Sequence, residues 1–381
     1  MMLVYQLTVL MVLVGFMVGT LLNLRVYRQI PLADDLDLGQ AAILVPARNE
    51  AANIGECLGS LLLQDYTNFT VYVLDDQSED ETPSILHEIA GAEPRVVLLS
   101  GAAKPSDWAG KVWACSQLGA RALEDGAEWL LFLDADTRAR PSLLSSLIVA
   151  AKQKGASMAT TFPMQVTGTF WEWVAMPVLH FLITTFLPIA LVMDSKFPTV
   201  AAGCGQVELF TRESYVRTGG HTAVKWSFHD GLQLARHVKR EHLVVLLCDA
   251  SHLVTCRMYK TGKEVWNGFV RNAYEGLGSV GALITVTSLT LLFFVFPYAF
   301  LLCALALKLP SWGWLCFLQV MVIIAIRLLQ AKRFGHISSV ILHPLSMLML
   351  VAVQWTSFWR HLRGSSTDWK GRKYGPGSDI I

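Results

Sequence analysis

Charge is scarce in this 381-residue chain. Asp, Glu, Lys and Arg make up 16% of it, against about a quarter of an ordinary soluble domain. Hydrophobic residues make up 53%, and mean hydropathy is +0.43. The shortage excludes a purely soluble protein and implies a large membrane component. Net charge is only +1 and there is no basic stripe with interleaved aromatics, so no nucleic-acid partner is expected. The seven cysteines include no C-x-x-C pair. Neither a disulfide frame nor a zinc site follows, and reduced thiols in a cytosol-facing protein are expected instead. No G-x-x-x-x-G-K-[ST] occurs, and no G-x-G-x-x-G follows the first expected strand, which excludes a P-loop and disfavours a dinucleotide fold.

What the chain has instead is long apolar runs. Leu3 to Leu24 is uncharged and close to the ~20 residues that span a bilayer. No basic residue precedes it and no small-residue cleavage site follows, so residues 1–25 read as a transmembrane helix rather than a cleaved signal. Arg25 and Arg28 come next, and the positive-inside rule then puts the following domain in the cytoplasm, giving an integral membrane protein of a bacterial inner membrane. Three further runs, Val280–Leu307, Trp312–Leu329 and Ile337–Phe358, form a C-terminal membrane region over 280–360. A basic tail, 361–381, follows with Arg363, Lys370, Arg372 and Lys373. Three full crossings put that tail outside, against the same rule, and the His343–Pro344 break suggests that the last segment is re-entrant. Within 169–193 another apolar stretch, Phe170–Met193, carries Glu172, Pro177, His180 and Pro188.

Between the membrane runs, roughly 40–276, short apolar segments alternate with helical ones. "AAILVP", "FTVYVLDD", "RVVLLS", "EWLLFLDAD" and "ASMATTF" read as strands. Helices are expected over Ala51–Leu63, Thr82–Ala90, Lys111–Glu124 and Ser142–Lys154. Continuous apolar strands alternating with helices predict an α/β domain, a mostly parallel sheet covered on both faces. Ligands of such sheets bind beyond the carboxyl ends of the strands. Three polar clusters stand there: "PARNE", "DDQSED" and "DADT". In an extended strand Asp134 and Asp136 point to one side, where like charges oppose each other's ionisation and favour a cation between them.

Taken in order, "ILVPARNEAANIGECLGSLLLQDY", "VYVLDDQSEDET", "WAGKVWACSQL", "LLFLDADT" and "FHDGLQLAR" resemble the signatures of family 2 glycosyltransferases with a Rossmann-like GT-A fold. "AAGCGQVELFTRESYVRTGGH", "CRMY" and "DWKGRKY" are similar to membrane glycosyltransferases of carotenoid and hopanoid biosynthesis, and more distantly to ceramide glucosyltransferases. The resemblance implies that Pro46, Arg48, Asn49 and Glu50 border a nucleotide and that Asp76 contacts its uracil or ribose. It further implies that Lys111 joins the donor site, that Asp134 and Asp136 hold a divalent metal on the diphosphate, and that Asp230 is the catalytic base. His229 departs from the Glu that usually precedes that base. Arg257 and Arg271 are candidates for the diphosphate, since guanidinium matches phosphate oxygens.

These residue types suit the chemistry. Mg²⁺ and Mn²⁺ prefer hard oxygen ligands, often one or two carboxylates completed by substrate phosphates. A separate carboxylate can take the proton of an attacking hydroxyl. The expected activity is metal-dependent, inverting transfer of one sugar from a nucleotide sugar, UDP-sugar first, to a membrane-lipid hydroxyl such as a carotenoid, hopanoid or other polyisoprenoid. Ceramide or glycerolipid transfer is the alternative. A processive polysaccharide synthase is disfavoured, because "NGFVRN" stands where such enzymes carry Q/R-x-x-R-W. A transporter or an inactive scaffold is the reading from outside enzymology. If Phe170–Met193 crossed the bilayer, Asp136 and Asp230 would be on opposite sides, so it is expected to lie in the interface or to dip in and return.

Overall fold

The computed structural model describes residues 2–33, 38–227, 229–308, 310–363, 367–370 and 372–374. Much of the basic tail, 364–366, 371 and 375–381, lies outside the described residues, as do the side chains of Arg372 and Lys373. The chain forms two compact units. One comprises Tyr27–Val166, Ala190–Met258 and Asp368–Ile381; the other comprises Met1–Val26, Thr167–Ile189 and Tyr259–Thr367.

The first unit is built on β1 (Ala41–Ala47), β2 (Phe69–Asp75), β3 (Val96–Ser100), β4 (Trp129–Leu133), β5 (Thr137–Ala139), β6 (Met158–Thr160), β7 (Met164–Gln165), β8 (Val207–Thr211), β9 (Val245–Leu247) and β10 (Val254–Cys256). Seven strands form the main sheet in the order β3-β2-β1-β4-β8-β6-β9, and β5-β10-β7 form a small second sheet. β1 pairs in parallel with β2 and β4, and β2 with β3. The strand next to β4 is β8, which runs antiparallel to both β4 and β6. The continuous apolar strands have the expected cause. Ile43, Val45, Val71 and Leu131 pack on one face with Ile54, Leu58 and Leu147, whereas Leu44, Tyr72, Leu130 and Phe132 pack on the other with Val112, Leu118 and Leu234. Successive residues point to opposite faces, and helices cover both.

The reading of "DAD" as strand is corrected. β4 stops at Leu133, and Asp134–Asp136 form a tight turn closed by Thr137 N donating to Asp134 O at 3.1 Å. The turn leads straight into β5. What brings the two carboxylates together is this turn, not strand alternation.

The second unit is helical. Its long elements are Met2–Val26, Gly262–Leu277, Pro310–Phe334 and His343–Leu362, together with Val280–Thr290, which continues through a π turn at Leu291–Val295 into Phe296–Leu307. Pro297, which has no amide to continue the α ladder, follows the π turn directly. Among the described residues three helices are long and apolar enough to cross a membrane: Met2–Val26, Val280–Leu307 and Trp312–Phe334. Phe170–Phe186 is apolar but shorter. It is divided into Phe170–Ala175 and Pro177–Phe186, and the next helix, Ile189–Asp194, begins beyond Pro188. Some buried polar groups here bond to neutral partners, while others, such as the rings of His180 and His343, have no hydrogen-bond partner. Gln319 Nε2 donates to Gln6 O and Oε1, both at 2.8 Å, and Gln330 Nε2 to the hydroxyls of Thr184 and Thr185 at 2.8 and 2.9 Å. Arg327 donates to Gln330 Oε1 at 2.8 Å and lies 5.6 Å from the Phe181 ring centre.

Candidate active site

The carboxyl ends of β1, β2 and β4 lie side by side, since Ala47 pairs with Asp75 and Leu44 with Phe132. Pro46 is in the last turn of β1, and the chain then leaves the sheet at Arg48. This arginine is 6% exposed and clamps the loop after β2. Its Nη1 donates to the carbonyls of Asp76 and Gln77 at 2.7 and 2.6 Å, and its Nη2 meets Glu79 Oε1 at 3.1 Å. Asp76 is buried, and its amide donates to Ala47 O at 2.8 Å. Asp75 acts as a turn acid, accepting from Ser78 N at 3.2 Å. Asn49 takes φ 51° and Gln77 φ 58°, a region costly for residues other than glycine and concentrated at functional sites.

Lys111, in the first turn of the helix Gly110–Glu124, is the centre of the charge arrangement. Its Nζ lies 2.8 Å from Asp134 Oδ1 and 3.2 Å from Asp230 Oδ2, and it donates to Gly205 O at 2.8 Å. The Asp230 contact is ionic, without hydrogen-bond alignment. Asp230 opens the helix Asp230–Arg240, and its Oδ1 accepts from the Gly231 amide at 2.9 Å. The chain before β8 permits this. A Cβ on Gly205 would overlap Asp230 Oδ1, and one on Gly203 would overlap the Gly231 carbonyl. The "GCG" of "AAGCGQVELF" is therefore a steric requirement of the site.

The site holds more negative charge than positive. Burial pushes Asp134 up to about 7, and Asp136 and Asp230 add to the rise while Lys111 opposes it. Asp136 is also raised, by burial and then by Glu50, and its buried Oδ1 has no hydrogen-bond partner. Burial raises Asp230 too, but the Lys111 ammonium, with His221 and the Gly231 amide, outweighs it and holds this carboxyl below its ordinary value. Asp230 therefore stays ionised where Asp134 is poised to titrate.

Two residues with no predicted role belong to the site. Glu208, on β8, is 1% exposed with both carboxylate oxygens unpartnered. Burial, then Asp230 and Asp134, raise it well above its usual range. A lone acid inside the apolar run "VELF" was the signal for it. Lys370, from the tail, lies 2.7 Å from Glu50 Oε1. The two arginine candidates stand on different elements. Arg257 directly follows β10, whose Cys256 pairs with Thr137 beside the D-A-D turn, whereas Arg271 lies on Gly262–Leu277 in the helical unit.

The donor set fits a divalent cation in part. Asp134 and Asp136 offer hard oxygens, one of them an orphan in a buried position, and among the described residues no group of three or more His, Cys, Asp or Glu could hold a metal ion by itself. The model for glycosyl transferase family 2 matches residues 42–217. The chain is a glycosyltransferase carrying a family 2 domain. Asp230 lies beyond the matched stretch. The chain is 25% identical over 344 residues to the 4,4'-diaponeurosporenoate glycosyltransferase of Staphylococcus aureus, covering 87% of each chain. It also resembles the solved mannosyltransferase PcManGT of Pyrobaculum calidifontis in complex with GDP-Man and Mn2+, with TM-score 0.55 and 15% identity over 95% of this chain and 99% of that one. The fold of this glycosyltransferase is GT-A, as its motifs predict, with apolar helices flanking the catalytic unit.

Proposed function

We propose that this glycosyltransferase moves one sugar from a nucleoside-diphosphate sugar, UDP-sugar first, to the hydroxyl of a membrane lipid of polyisoprenoid type, with inversion and with a divalent metal. The observation that carries the reading is the Lys111 ammonium set between Asp134 and Asp230, beside the orphan oxygen of Asp136. Asp134 and Asp136 would hold Mg²⁺ or Mn²⁺, whose chemistry is to stabilise charge on a diphosphate leaving group. Arg48 and Asn49 shape the rim for the nucleotide, with Pro46 and Asp76 as its walls. Asp230, kept ionised, accepts the proton of the acceptor hydroxyl at Oδ2 as that oxygen attacks the anomeric carbon, a role worth ~10²–10⁴-fold. The relative named for 4,4'-diaponeurosporenoate favours a long apolar acceptor.

Chain topology bears on the side of the membrane. The chain leaves the catalytic unit at Thr167 and returns at Ala190, then leaves at Tyr259 and returns at Asp368. With the catalytic unit wholly in the cytoplasm, each excursion crosses an even number of times. Val280–Leu307 and Trp312–Phe334 supply two crossings, so His343–Leu362 and Phe170–Phe186 dip in or lie in the interface. The basic tail then stays cytoplasmic, in keeping with the positive-inside rule.

Purified protein incubated with Mn²⁺, a panel of nucleotide sugars and a lipid extract should yield glycosylated lipid, read by mass spectrometry. Asp136→Asn and Asp230→Asn should each lower transfer by at least about 100-fold. Transfer at the parent rate by both variants would sink the reading.

A further inference from the structure

Lys370 belongs to the catalytic unit. Thr367–Trp369 and Arg372–Tyr374 are the strands of a separate two-stranded sheet, and Lys370 follows the first strand. Among the described residues, the hydrogen bonds of Lys370 go to the "PARNE" loop. Its carbonyl accepts from Arg48 Nε at 3.0 Å and Asn49 Nδ2 at 3.3 Å. Its Nζ donates to Asn49 O at 3.3 Å and to Glu50 Oε1 at 2.7 Å. Three of the six described non-glycine residues with positive φ meet here: Asn49, Gln77 and Lys370, the last at φ 51°. Arg48 bonds the carbonyls of both Gln77 and Lys370.

Backbone held in that region at three linked positions costs free energy and persists where a site over-determines it. Stability is weak grounds for the lysine: the pair is partly buried, with side chains 31% and 12% exposed, so loss of hydration offsets much of its Coulombic gain. What the arrangement does supply is a second ammonium, besides Lys111, whose charge reaches the carboxylates of the site. Lysine is a point-charge binder of phosphate, and its field also acts on Asp136.

We propose that Lys370 is a donor-binding residue: the C-terminal hairpin straps the donor site, and its ammonium passes from Glu50 to the diphosphate of the bound nucleotide sugar. The inference rests on the donor reading above and adds to it a residue far outside the matched 42–217. Arg48 and Asn49 hold the strap through the Lys370 carbonyl, so its side chain is free to change partners while the backbone stays.

The test uses the full-length protein in detergent with UDP or GDP and Mn²⁺ as probes, followed by calorimetry. Lys370→Met should weaken binding about tenfold, the size of one charge-assisted contact, and Lys370→Arg should bring it back to within about threefold of the parent. Donor KM should follow the same order while kcat changes less. Bound nucleotide should also slow tryptic cleavage after Lys370 in the unaltered protein, which needs no variant to fold. Unchanged or tighter nucleotide binding by Lys370→Met, with the parent binding normally, would overturn the strap. A parent that binds neither nucleotide would instead overturn the donor reading itself.

Discussion

The two compact units handle buried charge in different ways. In the helical unit Gln6, Gln319, Gln330, Thr184 and Thr185 bond to one another, and Arg327 bonds to neutral acceptors. The groups left there without a hydrogen-bond partner, such as the rings of His180 and His343, are ones that can stay neutral. In the catalytic unit Asp134, Asp136, Glu208 and Asp230 crowd around one lysine, and oxygens of Asp136 and Glu208 have no hydrogen-bond partner. One region buries polar groups without gathering charge; the other gathers carboxylates in excess, in a way that a metal–diphosphate would complete. The contrast lies in the sign and number of buried charges.

The sharpest way to break the comparison is at Gly205. A Cβ there collides with Asp230 and approaches Lys111, so Gly205→Ala should lower kcat at least about tenfold through displacement of the proton acceptor, with nucleotide binding retained. Equal loss of both would mean that the loop is merely unfolded. Next is Gln330→Leu, which removes a donor to the Thr184 and Thr185 hydroxyls and takes the Oε1 acceptor from buried Arg327. It should cost about 1–3 kcal/mol of stability in a denaturation experiment while donor KM stays at the parent value. A shifted KM would show that the helical unit is not separate from donor binding.

The smallest effect is expected at Glu208. Its folded pKa is raised well above the unfolded value near 4.5, so the folded state holds a proton that the unfolded chain releases. Stability from this group therefore falls as pH rises above that unfolded value. Glu208→Gln, the isostere of the protonated acid, should transfer sugar within about threefold of the parent, and its Tm advantage should grow from pH 6 to 8. A Tm difference that is flat with pH would mean that Glu208 is ionised in the fold.

Much of the catalytic unit was legible from local pattern. β1 to β4 and their helices follow from apolar periodicity, and Asp134 and Asp136 stand out as a polar strand end, whereas Lys111 and the proposed metal role of the pair come only from the resemblance to family 2 glycosyltransferases. What escaped depends on distant pairing. β8 reads as another short apolar run, and nothing local says that it inserts antiparallel between β4 and β6. The D-A-D turn was misread because strand and turn share the residues up to Leu133 and only the bond from Thr137 N to Asp134 O distinguishes them. Lys370 was recorded only as tail charge, since its partner Glu50 lies 320 positions away. Glu208 shows in composition as one acid in an apolar run, but its role appears only when Gly203 and Gly205 bring the Asp230 helix against that strand.

One ammonium serving two carboxylates has a thermodynamic corollary. Any cation that takes Asp134 away from Lys111 changes the field that Lys111 exerts on Asp230, and linkage requires the reverse influence to be equal. On the proposed roles, donor occupancy and the proton affinity of Asp230 are thus coupled equilibria. A transferase wired this way would report, at the atom proposed to activate the acceptor, whether a donor is in place.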